Sequence, residues 1–376
     1  MSDRWTWVPH LWGLLTPVIT AGCLVAGGPY MALPLVLFLG VYPFIELMLG
    51  QSSDTEPLQE GRAHDIIVHL HAVFVPIMVA VLLWRVSLDG LTLMVGLGAA
   101  SAGLTNGASG IVAAHELGHR RPRSKSWWTA RLSLFSVLYL HFTTEHNHTH
   151  HRHWARDVDP TSSPWGRSVY YPVLQTIPRQ VRGAFNARPA DTKRALSVEA
   201  LFLVALAVAG LPYLVAYLAQ AAVAIYLLEF VNYLQHHGLR RGDDERPNAT
   251  HAWESRHRLS RWTLMELPLH PSHHLKASTP YQRLDVHDEA PQLPFGYYGM
   301  FWLALVPPLF GRLMRRQQKR PASLFEPVLS LSLHRRSLVG SPKSRLQRRR
   351  RPRLPTAKQG APRRRLQGPA RRFRLP

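Results

Sequence analysis

Apolar residues along this chain come in long runs rather than in alternation with polar ones. The first run covers 11–26 and the second 30–49, with Glu46 near its end. The third, 66–86, is interrupted by His69 and His71, and the fourth, 91–114, is rich in Gly, Ala and Ser. A helix needs roughly 20 residues to cross about 30 Å of hydrocarbon, so each run predicts a membrane-spanning helix. The small residues of the fourth suit close helix contact in lipid. The first run lacks a charged leader and a clean cleavage site, which predicts a retained helix rather than a signal peptide. A longer run follows at 201–233, with "AGLPYL" at 209–214 in its middle. As one helix, 198–236 would extend about 58 Å at roughly 1.5 Å per residue, nearly twice the hydrocarbon thickness. Gly210 and Pro212 mark a turn, so two spans folded as a hairpin are expected. The pattern predicts an all-α integral membrane protein with about six transmembrane helices.

Two polar blocks lie between the runs, at 115–197 and 234–292. Residues 152–197 contain eight Lys or Arg against three Asp, which assigns that block to the cytoplasmic face. Four spans bring a cytoplasmic N-terminus back to that face at His115, and the hairpin returns the chain there at His236. The segment 127–142 must then not cross. Arg131 in its first turn favours an interfacial or re-entrant helix.

Charge changes the picture at one end only. The formal net charge is +22, but 20 Lys or Arg and a single Glu lie beyond residue 312, leaving +3 for residues 1–312. Two parts are expected: a membrane-embedded domain, 1–312, and a basic tail, 313–376. The tail has no sustained periodicity and is expected to be disordered, touching anionic lipid. A basic surface confined to such a tail gives no reason to expect a nucleic-acid partner. The single cysteine, Cys23, excludes an intrachain disulfide, an iron–sulfur cluster and a rubredoxin-type site. Any metal must be held by histidine and carboxylate.

Histidine is where the chemistry concentrates: 16 of the 21 fall between His115 and His287. In "HELGH", His115 and His119 share a helix face at i, i+4 and can reach one ion. "EHNHTHHRHW" follows, at 145–154. Read as an α-helix, it places His146 and His150 together, offsets His151 by about 100° toward a second ion and turns His148 away. His141 and His153 are expected to be structural. "NYLQHHG" closes the sixth span, and of the adjacent His236 and His237 one is expected to bind and one to pack. In "HPSHH", Pro271 suits the first helical position, with His270 as N-cap and His273 and His274 in the first turn. Separate spans deliver these clusters to one membrane face. Eight or nine imidazoles suffice for two ions, which a closed four-ligand structural zinc site would not need.

These motifs resemble those of the integral-membrane di-iron alkane monooxygenases, the alkane omega-hydroxylases, relatives of the membrane fatty-acid desaturases. The resemblance rests on "HELGH", on "EHNHTHH" followed by Asp159 and Pro160, on "NYLQHHGLRR", on "HPSHH" followed by "YQRL", and on "DEAPQLPFGYYGM" at 288–300. It covers roughly 30–315 and implies a desaturase-like fold with a cytoplasmic-side histidine-rich di-iron site in the inner (cell) membrane of a bacterium. It implies nine ligands for two non-haem iron ions: His115, His119, His146, His150, His151, His236, His270, His273 and His274. Glu116, Glu145, Asp159 and Glu229 are candidates for orienting ligand imidazoles. The family usually has Tyr at the position of His237, which favours His236 as the ligand. Leu267, Pro268 and Leu269 replace the family's usual Leu-Gln-Arg before the last box. The implied activity is hydroxylation of the terminal carbon of medium- or long-chain n-alkanes with dioxygen, giving 1-alcohols. Electrons are expected from a separate rubredoxin and its NAD(P)H-dependent reductase, because the tail has no cysteine.

An alkane has no polar handle, so its recognition must rest on shape and apolar burial, in a channel running between the spans. Three other readings compete. A fatty-acyl desaturase or hydroxylase is disfavoured by the "NYLQHHG" and "APQLP" elements. An aromatic-methyl monooxygenase of the same superfamily is a variant of the main reading. A His-rich metal transporter would hold its ligands near the bilayer midplane rather than at the ends of spans.

Overall fold

The structure, a computed structural model, describes residues 6–53, 57–58 and 61–319. Among these residues the regular secondary structure is helical, joined by irregular loops and two isolated β-bridges. Helix α1 is Leu11–Ala26 and α2 is Gly28–Leu49, a composite with a π-helical turn at Leu37–Val41. Helix α3 is Arg62–Asp89. The fourth run forms α4, residues 93–118, interrupted by a π turn at Asn106–Ile111. Four helices are long and apolar enough to cross a membrane: Val8–Ala26, Gly28–Leu49, Arg62–Asp89 and Leu211–His236. The other two expected spans correspond to α4 and to a helix at Pro189–Ala209.

Helix α4 reaches its neighbours because it carries glycines where it touches them. A Cβ on Gly103 would lie 2.5 Å from the Gln220 carbonyl oxygen and 2.6 Å from Val223 Cβ; one on Gly107 would lie 2.9 Å from the Ala224 carbonyl. One face of α4 is therefore pressed onto the 211–236 helix, close to its backbone carbonyls, as the run of small residues predicts.

Helix α5, Lys125–Ser136, begins with the Ser124 hydroxyl accepting from Trp127 N at 3.2 Å. It sinks between the long helices: the Tyr217 hydroxyl donates to the Phe135 carbonyl and Gln220 Nε2 to the Ser136 carbonyl, each at 2.9 Å. Leu138, at φ 59°, reverses the chain against Val79, Leu206 and Tyr217. The segment goes in and comes back, as a re-entrant helix does. Residues 142–153 then form the short helix α6, and Pro172–Ala187 forms α7. The expected hairpin is α8, Pro189–Ala209, and α9, Leu211–His236. Its hinge is Gly210 at φ 143°, a conformation that side-chain-bearing residues rarely adopt.

Helices α10, Arg258–Thr263, and α11, His270–Leu275, are short and lie in the last polar block. Helix α12, Tyr297–Ala304, and α13, Pro307–Gln318, complete the described chain. Phe310 and Met314 of α13 are buried in the main core, so ordered packing continues past residue 312. The rest of the expected basic tail lies outside the described residues.

Candidate metal centre

Four elements end at one place. The last turn of α4 carries His115 and its C-cap is His119, α6 carries His146, His150 and His151, the last residue of α9 is His236, and α11 carries His270, His273 and His274. The structure gathers all nine into two groups. His115, His119, His146, His151 and His273 form one; His150, His236, His270 and His274 form the other. Within each group the candidate donor atoms all lie within 4.8 Å of one another. The groups adjoin, with the rings of His151 and His274 centred 4.6 Å apart.

The partition corrects the α-helical expectation for the second box. Residues His146–His150 form a π turn, and the His151 N–H donates to the His146 carbonyl, five residues back. A turn closed at i+5 stacks residues five apart rather than four. His146 and His151 therefore face together, with Nε2 atoms 2.9 Å apart, while His150 turns to the other group. His148 is exposed and donates from Nδ1 to the Thr144 carbonyl at 3.1 Å. His153 does the same to the Thr149 carbonyl at 3.0 Å.

The last box also differs by one position. The N-cap is Leu269, so His270 is the first helical residue and Pro271 the second. Neither place requires a backbone N–H from proline, so the box stays helical. His270 Nε2 lies 3.0 Å from His236 Nε2 and 2.9 Å from His274 Nε2, and His274 Nε2 lies 3.1 Å from His150 Nε2. His273 Nε2 lies 3.1 Å from His151 Nε2 in the other group. His237 packs instead, against Tyr233, Trp165 and Phe310. His141 is buried against the ring of Tyr139, outside both groups.

This arrangement fits metal ions. Burial first, and neighbouring imidazoles second, hold His146, His151, His270, His273 and His274 well below the usual histidine range, so they are neutral with a free lone pair. Inward-facing nitrogens 2.9–3.1 Å apart crowd lone pairs that only a shared proton or a cation can satisfy. Ligands at about 2.1 Å from an ion, set at right angles, stand about 3.0 Å apart. His119 Nε2 is buried and has no partner in the protein. Donor sets of five and four imidazole nitrogens, without thiolate, suit borderline divalent metals.

Of the four carboxylates expected to orient rings, Asp159 does so. Its Oδ1 lies 3.1 Å from His150 Nδ1, and it accepts from Thr161 N at 3.2 Å, Thr161 Oγ1 at 2.9 Å and Ser162 Oγ at 2.6 Å. Burial alone would raise its pKa, but His150, His236 and Ser162 outweigh it and hold the carboxyl below the usual range. The other three make no hydrogen bond to a histidine of either group among the described residues. Glu116 pairs with Arg120 at 3.2 Å. Glu229 accepts from the Tyr139 hydroxyl at 2.9 Å and Gln180 Nε2 at 3.0 Å. Both carboxylate oxygens of Glu145 are buried without a hydrogen-bond partner. Two further contacts escaped the sequence reading. Thr161 Oγ1 lies 2.8 Å from His150 Nδ1, and the buried Trp154 ring stacks on His274 at 4.4 Å. The hydroxyl pair directly after "DP" was the available signal for the first; nothing local marks the second.

An apolar cleft lies near the centre. It is small, about 30 Å³, and lies between α2, α4, α9 and α12, where Phe38, Gly107, Ala108, Val112, Phe230 and Tyr298 contribute to its wall. Val112 stands one helical turn before His115 on α4.

Comparison with known proteins agrees with this geometry. The sequence model of the fatty acid desaturase family matches residues 91–304. Alkane 1-monooxygenase 1 of Alcanivorax borkumensis is 32% identical over 342 residues, covering 81% of this chain and 83% of that protein. Alkane 1-monooxygenase 1 of Pseudomonas aeruginosa is 33% identical, covering 74% of this chain and 80% of its own length. The hydroxylase component of xylene/toluene monooxygenase from Pseudomonas putida is 27% identical, covering 57% and 62%. The chain belongs to the fatty acid desaturase family and, within it, to the alkane 1-monooxygenases. It is a membrane protein with histidine groups able to hold metal.

Proposed function

We propose that the protein hydroxylates the terminal carbon of n-alkanes, using dioxygen, two irons and electrons from a separate rubredoxin with its NAD(P)H-dependent reductase. The observation that carries this reading is the pair of histidine groups, with an apolar cleft between membrane helices one helical turn away at Val112. His115, His119, His146, His151 and His273 would hold one iron, and His150, His236, His270 and His274 the other. Bound there, iron supplies the dioxygen chemistry that no side chain can perform on an unactivated C–H bond.

The chain's own residues do the rest. Asp159 and Thr161 hold the His150 ring with Nδ1 outward and Nε2 toward its group. Phe38, Phe230 and Tyr298 line an apolar cleft which, at about 30 Å³, must widen to admit an extended chain. Burying eight carbons at about 0.8 kcal/mol each would contribute roughly 6 kcal/mol before the cost of ordering the chain. The histidine end of the helices is assigned to the cytoplasmic side of a bacterial inner membrane, where a soluble electron donor can reach it.

The test is whole-cell conversion of octane by the expressed chain with a supplied rubredoxin and reductase, beside iron analysis of the purified protein. The expected result is 1-octanol and two irons per chain. New double bonds in cellular acyl chains would instead make the protein a desaturase. Selective oxidation of xylene methyl groups would make it an aromatic-methyl monooxygenase. Exchangeable zinc without any product would indicate metal transport.

A further inference from the structure

A second, larger cavity lies beside α5. It measures about 1120 Å³ and is bounded by the chain after α4, by α5, and by the start of α8. Its lining changes character along its length. At the histidine end stand Arg120, Arg123, Arg188 and Arg194, and Asp191 is the one carboxylate in the wall. Deeper in, the wall becomes Leu132, Phe135, Ala195 and Val198.

The two bounding helices make this gradient in parallel. Along α5 the order is Trp127 and Trp128, then Arg131, then Leu132 and Phe135. Along α8 it is Asp191 and Arg194, then Ala195 and Val198. Both helices start at the same end and converge inward, where the Phe135 and Phe202 rings meet at 5.0 Å. The result is a wedge, basic at its mouth and apolar at its closed end. Trp128 and Leu132 are exposed large apolar residues, as is Val198. Tryptophan at this level is characteristic of a membrane–water interface.

The cations at the mouth are not equally occupied. Arg120 is engaged by Glu116 and Asp65, at 3.2 and 3.3 Å, and Arg194 lies 3.8 Å from Asp191. Arg131 stacks on the Trp127 ring at 5.0 Å and donates to the Leu140 carbonyl at 3.2 Å. Among the described residues, Arg123 and Arg188 have no carboxylate within salt-bridge distance. A ligand that completes this groove must bring negative charge to the mouth and hydrocarbon to the depth, side by side with the bilayer.

We propose that the groove binds one anionic phospholipid, its phosphate between Arg123 and Arg188 and an acyl chain along Leu132, Phe135 and Val198. The lipid surface supplies this molecule at high local concentration, and basic pockets between membrane helices are suited to such headgroups. Bound there, the lipid covers the exposed edge of His119, which also borders the groove. The proposal does not depend on what the metal centre does.

The test uses the full chain purified in mild detergent. Equal amounts of phosphatidylglycerol and phosphatidylcholine with identical acyl chains are offered, and retained lipid is counted by native mass spectrometry. The native protein should keep one phosphatidylglycerol with at least about tenfold preference, and Arg123→Ala/Arg188→Ala should reduce that preference to near unity. Arg123→Lys/Arg188→Lys should restore most of it, and unchanged thermal midpoints and metal content would show that the variants are folded. Equal retention of both lipids by the native protein, or a preference unaffected by the alanine pair, overturns the proposal. Displacement of the lipid by excess inorganic phosphate would make the groove a free-anion site and also overturn it. So would a variant that keeps its lipid but loses affinity for an acidic electron-donor protein, because the groove would then belong to that partner.

Discussion

Asp159 is the most incisive place to perturb the centre, because it acts on one histidine group and not the other. It is fully buried and receives three hydrogen bonds from Thr161 and Ser162 besides its contact with His150 Nδ1. Asp159→Asn keeps the shape and an acceptor oxygen for His150 but removes the charge. Asp159→Ala removes both and leaves Ser162 and the Thr161 N–H without their acceptor. A hydrogen bond to a charged group contributes about 1.5–3 kcal/mol, and loss of a residue orienting a ligand typically weakens metal binding about 10–100-fold. Thr161 Oγ1 remains 2.8 Å from His150 Nδ1, so the ring is not released altogether. The expected losses for the His150–His236–His270–His274 group are about tenfold for Asn and about a hundredfold for Ala. The five-histidine group should be unchanged. Anaerobic titration of metal-free protein with ferrous ion resolves the two sites, and octane turnover is measured in parallel. If Asp159→Ala titrates like the native protein, or if the five-histidine site weakens instead, the partition and the role of Asp159 are both wrong.

His148→Ala is expected to keep most of its activity and full metal content, since that ring faces solvent; loss comparable to His150→Ala at equal expression would refute this. His150→Ala and His151→Ala should each purify with about one metal per chain but lose opposite sites, which spectroscopy of the remaining ion would distinguish. Gly103→Ala forces a Cβ against the Gln220 carbonyl and should destabilise the protein by about 1–3 kcal/mol, read as a lowered thermal midpoint in detergent; Gly22→Ala, which meets nothing within 4 Å, is the control. Burial raises Glu266, but Arg261 and His10 outweigh it and bring its pKa from the ordinary 4.5 down to about 2. Its stabilising contribution is therefore present above about pH 4.5 and lost as pH falls toward 2, and Glu266→Gln should flatten the thermal midpoint across that window.

The nine histidines were legible because each box repeats a spacing that one helical element can satisfy, and because the apolar runs bring the boxes to one end of the helices. The hairpin was legible from Gly210 and Pro212, and the re-entrant segment from Arg131 set against its apolar surroundings. Which histidines share an ion was not legible. That depends on whether the turn after Glu145 closes at four residues or five, and both closures accept the same residue types. The carboxylates divide for a related reason. Asp159 lies nine residues from His150, close enough for the "DP" motif to announce it. Glu229 is claimed by Tyr139 and Gln180, far from it in sequence, and no local pattern reports such partners.

The π turns connect these observations. Three occur among the described residues, at Leu37–Val41, Asn106–Ile111 and His146–His150, and each touches the proposed chemistry. A π turn inserts one residue into a helix, widens it locally and shifts the face presented by everything that follows. At Leu37–Val41 the turn leaves the Leu39 carbonyl to accept from Trp302 Nε1 at 2.8 Å, tying α2 to α12 across the cleft that Leu39 and Trp302 both line. At Asn106–Ile111 it sets Gly107 and Ala108 into the cleft wall and rotates the last turn of α4, so that His115 and His119 point toward the π turn of α6. At His146–His150 it separates two adjacent histidines, His150 and His151, into different groups. An uninterrupted α-helix would keep His146 and His150 on one face and could not divide the donors five and four in this way. The same local distortion thus shapes the apolar cleft and apportions the histidines, which places both parts of the proposed reaction under the control of helix register.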